Sequence, residues 1–239
     1  MTLVLSLVLA ATPVDPELLR RVGEHLSRLD QFERDSSFTV SVRAEELDGD
    51  GKVTHTEESV LAATVKNGET SRSVVRKSSD GKDVDAAEAA KDEAKKEQER
   101  KERRGGKRVT MQSTLPFASD EQKKYRFEPL PESPQRPGLV HVAFQPAGEK
   151  APELLIGDAL IDAASGELVH VDMRPSKNPT FVDTMWMAVE LSAPTPAGRA
   201  VSGFDVTGSG SIAFIKKRMR VTTRVSDYRA LKPAPDAAR

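Results

Sequence analysis

The spacing of apolar residues changes from a helical to a strand period within the first 45 residues. Between 15 and 32 the apolar residues fall three or four positions apart, which predicts one amphipathic helix. Asp15 can cap this helix, and Pro16 suits its first turn. From residue 37 apolar and polar residues alternate instead, which predicts a strand. The residues on its more apolar face are Phe38, Val40, Val42 and Ala44.

The same alternation returns along most of the chain, between turns rich in Gly, Pro, Ser and Asn. We predict a helix packed on an antiparallel sheet, an α+β fold. The predicted strands cover 52–65, 70–77, 111–117, 125–127, 139–144, 154–162, 168–173, 181–191, 199–207 and 212–225. Asn67-Gly68 predicts a tight hairpin, and Gly208-Ser209-Gly210 predicts the turn between the last two strands. One face of the strand over 181–191 carries Met185, Met187, Val189 and Leu191.

Residues 83–106 interrupt the strand pattern with a segment made almost entirely of Ala and charged residues. Acidic residues come early and basic residues late, the order that complements a helix dipole. We therefore predict a charged helix inserted between strands, ending at Gly105-Gly106. Because its apolar residues are alanines, we expect it to be solvent-exposed and to project from the sheet.

The first eleven residues contain an uncharged apolar run, Leu3 to Leu9, followed by small residues. This pattern is typical of the core of a secretory signal, with cleavage after Ala10, although a buried N-terminal strand also fits it. The run is too short to span a bilayer. We expect a signal peptide over 1–11, one domain over 13–232 and a disordered tail over 233–239.

The chain has no cysteine, and its 36 basic residues nearly balance its 37 acidic ones. The lack of cysteine excludes disulfides, thiolate chemistry and a lipid-anchor cysteine. The balanced charge and few aromatic residues give no support for a nucleic-acid partner. If exported, the protein is expected to be a soluble periplasmic protein without a lipid anchor.

One segment resembles a calcium-binding loop. Glu46, Asp48, Asp50 and Glu57 stand at positions one, three, five and twelve of such a loop. The preceding residues have a strand period where a calcium loop of this kind needs a helix, so a polar hairpin turn is the favoured interpretation. The four histidines are dispersed, and no nucleophile, acid or base cluster is evident. We therefore expect no metal, no cofactor and no enzymatic activity.

Several short segments resemble exported bacterial proteins of the outer-membrane lipoprotein-sorting (LolA/LolB-like) superfamily. They are GDALID at 157–162, the turn to Gly166, ELV at 167–169, FIKKRMRV at 214–221 and SDYR at 226–229. The upstream order of helix, strand and charged insertion is also similar. The resemblance implies a curved antiparallel sheet, an incomplete barrel, whose concave side encloses an apolar cavity for acyl chains. The long charged insertion and the missing anchor cysteine are departures from the sorting proteins.

These features lead to two functional hypotheses. The first is a periplasmic carrier of lipids or lipoproteins, whose cavity is lined by some of Phe38, Val40, Val42, Met185, Met187, Val189 and Leu191. The second is a non-catalytic structural or interaction module of the cell envelope, with a packed barrel and a charged helix that contacts a protein partner.

Overall fold

The structure is a computed structural model that describes residues 13–104, 110–131, 136–212 and 215–231. The predicted signal segment 1–11 and tail 233–239 lie outside these residues. So does the end of the charged insertion at Gly105-Gly106.

The described residues form one antiparallel sheet of eleven strands, with helices on it. The strands are β1 Ser36–Leu47, β2 Val53–Lys66, β3 Glu69–Ser79, β4 Lys82–Asp83, β5 Tyr125–Pro129, β6 Leu139–Pro146, β7 Leu155–Asp162, β8 Leu168–Pro175, β9 Val182–Thr195, β10 Gly198–Ile212 and β11 Ile215–Ala230. The helices are α1 Pro16–Glu33, α2 Ala86–Arg104 and α3 Met111–Thr114, with a 3-10 turn Gln122–Lys124. The strand order is β4-β3-β2-β1-β11-β10-β9-β8-β7-β6-β5, so the sheet is not closed. This confirms the predicted α+β fold with a helix packed on a curved sheet.

The register shows which residues share a face, because residues paired directly across antiparallel strands point to the same side. One row runs from Val42 through Thr223, Phe204 and Val189 to Val171. Val189 and Val171 are fully buried in the same core as α1. We call the side that carries this row the inner face and the opposite side the outer face.

Helix α1 forms as its sequence predicts. The carboxylate of Asp15 accepts a hydrogen bond from the Glu17 amide at 2.9 Å, and Pro16 is the first helical residue. Its apolar stripe is buried against the inner face. The buried leucine and valine residues of α1 are Leu18, Val22, Leu26 and Leu29.

The strand predicted over 111–117 is wrong. Thr110 caps the short helix α3 instead, and Leu115 and Phe117 are then buried beside α1. The Phe117 ring meets that of Phe144 edge-on, with centroids 5.5 Å apart. The side-chain amide of Gln122 donates to the carbonyls of Leu19 and Phe117, both at 2.8 Å. The alternating apolar residues therefore fill the space between α1 and the sheet.

The turn predicted at Gly208-Ser209-Gly210 is also wrong, because β10 continues through these residues to Ile212. The glycines permit a close approach of β9. A Cβ on Gly210 would lie 2.5 Å from the Phe181 carbonyl oxygen, which accepts a hydrogen bond from Ser211. The register shifts at this point, as expected where glycine occurs within a strand.

The histidine on the buried face of α1 is unusual for a packed core. His25 is fully buried, and neither ring nitrogen has a hydrogen-bond partner of normal geometry within the described part of the chain. The nearest recorded ion-pair partner is Glu167, whose Oε1 lies 4.0 Å from Nε2. Burial lowers the pKa of His25 below its ordinary 6.5 and outweighs the opposing effects of Glu167 and the Arg199 backbone.

Replacing Leu29 by Ala should lower the free energy of unfolding by about 2–5 kcal/mol, because the side chain is fully buried and a cavity would remain. Urea unfolding monitored by circular dichroism measures this loss. Gln31→Ala, at an exposed position on the same helix, is the control and should change stability by less than about 0.5 kcal/mol. Equal effects of the two changes would contradict the assigned packing of α1.

Stability should fall as the pH decreases below about 6.5, in part through His25. The unfolded chain then binds a proton that the buried ring resists, so stability is lost progressively as the pH falls from the unfolded-state pKa to the lower folded-state pKa. The loss remains at still lower pH. His25→Leu should remove this part of the pH dependence. Urea unfolding of both proteins at pH 7.5 and 5.5 measures the difference, and an identical pH dependence would contradict the inference.

Candidate functional site

Helix α2 lies along the inner face of β3. Asp85 precedes it, and its carboxylate accepts hydrogen bonds from the amides of Ala87 and Glu88 at 2.9 and 3.1 Å. Lys77 binds Asp92, and Arg72 binds Glu97 one turn later. The residue numbers of these partners increase along α2 and decrease along β3. The helix and the strand therefore run in opposite directions.

Most of α2 is exposed, as predicted, but the helix does not project freely into solvent. One stripe, which includes the buried Ala89 and Glu93, faces the sheet. Arg100 donates to Glu93 at 2.8 Å and to Glu97 at 3.1 Å, so the same stripe carries an ion-pair network. Ion pairs to β3 attach α2 to the sheet, where most helices would use an apolar stripe. The composition of the helix alone does not reveal these contacts.

A cavity of about 140 Å³ lies between α2 and the sheet. Its apolar floor consists of Val42 and Ala44 from β1, Leu61 from β2 and Val74 from β3. The remaining lining residues are mostly polar or charged. They are Glu57, Glu58, Ser59, Lys77, Ala89, Asp92, Glu93 and Lys96.

The charges around this cavity stabilise one another. The hydrogen bond with Asp92 raises the pKa of Lys77 and lowers the pKa of Asp92. Burial opposes ionisation of Glu97, but the charges of Arg72 and Arg100 outweigh it and lower its pKa. Lys77, Asp92 and Glu97 therefore stay ionised at neutral pH, and the attachment of α2 to the sheet is electrostatic.

The apolar inner face continues beyond the cavity across the middle of the sheet. From Ala44 the register runs through Val221 and Val206 to Met187. These four side chains are half-buried. Together with the cavity floor they form an apolar strip between the core beneath α1 and the helix α2.

The structure brings only part of the predicted cavity lining together. Val42 lies in the cavity floor, whereas Val40, Met185 and Met187 are half-buried elsewhere on the sheet. Val189 and Leu191 are fully buried in the α1 core, and the Phe38 ring packs 5.2 Å from that of Tyr228.

The cavity lining also includes Ala44, Leu61 and Val74, which the sequence pattern did not identify as lining residues. For Ala44 the pattern does predict the correct face of its strand. Alternation along 61–65 is the signal that could have identified Leu61, since Leu61, Ala63 and Val65 are all buried. The facing charges on α2 could be assigned only once the helix was placed.

The residues that resemble a calcium loop are dispersed. Asp48 belongs to a hairpin turn and accepts hydrogen bonds from the amides of Asp50 and Lys52. Glu46 lies 3.5 Å from Lys217, and Glu57 lines the cavity. Within the described ranges, no three His, Asp or Glu side chains are grouped to hold a metal ion.

No helix in the described part of the chain is long and apolar enough to cross a membrane.

No protein-family model and no curated protein matches the chain. Among solved structures, a DUF1329 family protein from Desulfovibrio piger aligns over 95% of this chain and 97% of its own, at 11% identity and a TM-score of 0.38. A structure of lipovitellin showing lipid–protein interactions aligns over 87% of this chain and 27% of its own, at 8% identity and a TM-score of 0.31. The Pseudomonas aeruginosa MucA/MucB complex aligns over 88% and 99%, at 11% identity and a TM-score of 0.23. Because these TM-scores are below 0.5, the proposals below depend on this chain alone.

Replacing Arg72 by Gln should loosen α2, because it removes the partner of Glu97 from β3. We expect amide hydrogen exchange in α2 to become about two- to fivefold faster. This factor corresponds to the small free energy that one partly exposed ion pair contributes. Arg76→Gln is the matched control, since Arg76 lies on the same strand but pairs with Asp83 rather than with α2. Exchange in α2 that responds to neither Arg72→Gln nor 1 M salt would contradict an electrostatic attachment.

Proposed function

We propose that this protein is a lipid-binding carrier that holds acyl chains on the inner face of its sheet, beneath and beside α2. The observation that carries the proposal is the mismatch between α2 and the surface it covers. The cavity floor is apolar, whereas the helix above it contributes a single buried alanine and otherwise charged side chains. An apolar ligand would bury the floor more completely.

The contrast with α1 supports this interpretation. Beneath α1 the inner face is closed by leucine and valine side chains that are almost fully buried. Beneath α2, Val42, Ala44 and Val74 stay partly accessible. The same sheet therefore has a packed half and an incompletely covered half, and the second half is suited to a ligand.

We propose in addition that α2 moves when a ligand binds, which the small cavity volume supports. A volume of about 140 Å³ corresponds to about five water molecules at ~30 Å³ each, too little for a long acyl chain. The network that holds α2 consists of ion pairs that are partly exposed, and such pairs contribute little net stability. Displacing α2 would connect the cavity with the apolar strip from Ala44 to Met187.

The proposed action is binding alone, without cofactor or catalytic step. The apolar run at 3–9, typical of a secretory signal, supports export to the periplasm as part of the same proposal. The resemblance of the sequence to lipoprotein-sorting proteins adds lipoprotein acyl groups to the candidate cargo.

A second candidate function is an envelope interaction module in which the sheet is only a scaffold. The complete packing of Val189 and Leu191 beneath α1 favours it, since these residues leave no space for a ligand. In that case the exposed side of α2 would contact a protein partner, and the purified protein would bind no lipid.

Ala44→Phe should weaken lipid binding about tenfold. The phenylalanine ring would occupy the space of about two methylene groups of the ligand, and burying each methylene contributes ~0.8 kcal/mol to binding. Titration with a fluorescent fatty acid measures the affinity, and native mass spectrometry of the purified protein detects lipid that remains bound. Val75→Phe is the matched control, because Val75 lies on β3 but does not line the cavity. A folded protein that binds no lipid in either measurement would refute the carrier and favour the interaction module.

A further inference from the structure

Exposed apolar side chains are concentrated at one end of the sheet. Among the described residues, five large apolar side chains are exposed. They are Val53 at 40%, Val75 at 66%, Phe181 at 67%, Trp186 at 44% and Met219 at 51%. All of them except Val75 belong to the strands and loops at the end where β1 finishes and β9 begins. We call this region the sheet tip.

The register brings these residues together from separate parts of the sequence. Leu47, the last residue of β1, pairs with Val53 on one side and with Arg218 on the other. Arg218 pairs with Ser209, which pairs in turn with Thr184.

The next row on the same face lies two residues farther from the tip and is set by the same register. It runs from Arg220 through Thr207 to Trp186. Phe181 immediately precedes β9, and its carbonyl accepts the Ser211 amide at 3.1 Å. Met219 lies between Arg218 and Arg220 but on the inner face, so the tip has apolar residues on both faces.

Basic residues surround these apolar side chains. On the outer face, Arg174, Arg218 and Arg220 line a concavity of about 770 Å³ together with Trp186. Neither Arg174 nor Arg218 forms an ion pair with any residue that the structure describes. Arg220 lies 3.5 Å from Glu45. The tip thus presents at least two guanidinium groups that are available to an anion.

Most acidic groups at the tip are already engaged within the protein. Asp48 accepts amide hydrogen bonds in its turn, and Asp183 accepts one from the Ser211 hydroxyl at 2.7 Å. Glu45 contacts both Arg43 and Arg220, and Glu46 lies 3.5 Å from Lys217. Asp50 in the β1–β2 turn is exposed. Asp48, Asp50 and Asp183 keep their negative charge, because amide and hydroxyl donors do not neutralise a carboxylate, and Asp183 lines the same concavity. None of the three forms an ion pair with Arg174 or Arg218.

We propose that the sheet tip docks on the surface of an anionic lipid bilayer. Tryptophan and other apolar side chains are stabilised at the boundary between headgroups and acyl chains, and arginines bind lipid phosphates. The apolar residues project from several strands and occupy both faces, an arrangement suited to insertion into a fluid surface. Docking does not require the cavity beneath α2 to hold lipid, so it goes beyond the proposed function and can be tested separately.

The chain contains one tryptophan, so Trp186 reports directly on the tip. With vesicles of 70% phosphatidylcholine and 30% phosphatidylglycerol, its emission should shift to the blue, and acrylamide quenching should decrease. Pure phosphatidylcholine vesicles should cause much smaller changes. Because the reporter lies within the proposed surface, binding through another segment of the chain would leave its emission unchanged.

Two pairs of substitutions test the two components of the surface. Arg174→Gln with Arg218→Gln should weaken binding to the anionic vesicles about 25-fold, since one basic residue near such a surface contributes about fivefold. Phe181→Ser with Met219→Ser should weaken it about tenfold or more through lost apolar burial. Vesicle co-flotation at fixed salt measures both effects.

Matched controls place the same chemical changes away from the tip. Arg126→Gln, at an exposed position on β5, and Val75→Ser should leave vesicle binding unchanged. Ala44→Phe should also leave vesicle binding unchanged. Loss of lipid binding in the cavity and loss of docking on a bilayer can therefore be distinguished. An unshifted Trp186 emission with anionic vesicles would refute the proposal. So would protection of Trp186 by polyglutamate but not by vesicles, which would indicate an acidic protein partner.

Discussion

The structure depends on the pairing of β1 with β11, which joins the first and the last of the described strands. The pairing extends from Ser36 opposite Ala230 to Leu47 opposite Arg218. It connects the strands β2, β3 and β4 to the strands β5 to β10 within one sheet. The inner-face row from Val42 to Val171 crosses this junction, and so does the row that sets the sheet tip. Both proposed lipid-binding regions therefore require a register fixed between residues far apart in sequence.

The two long helices cover the inner face through different forces. Helix α1 buries apolar side chains, and its attachment should persist at high salt. Helix α2 is held mainly by charges that salt screens, above a floor it does not fill. Local stability should therefore be unequal across the sheet, with the least protected element next to the cavity. This difference would suit the proposed carrier, in which one half would maintain the fold while the other admitted a ligand.

The sequence predicted those parts of the fold that depend on local pattern. Asp15 and Pro16 marked the start of α1, and Asn67-Gly68 takes positive φ angles of 51° and 82° in its hairpin. The prediction failed where long-range contacts decide the structure. Gly208 and Gly210 have a local preference for turns. In the structure they instead allow the backbone at the start of β9 to approach β10 closely. Some of the seven residues were predicted to line a cavity, and Val42 lines the one beneath α2. Alternation identifies a face of the sheet but not which part of it a helix covers.

The position of β11 at the end of the described chain has a consequence for folding. The centre of the sheet forms only after Ile215–Ala230 is available, and the Tyr228 ring contacts Phe32 at the end of α1 and Phe38 on β1. Contacts between such distant residues require closure of a long loop and slow the folding reaction. Until β11 arrives, the central edges of β1 and β10 are unpaired and open to association with other chains. Assembly of this sheet is thus completed at its middle, by the last of the eleven described strands to be synthesised.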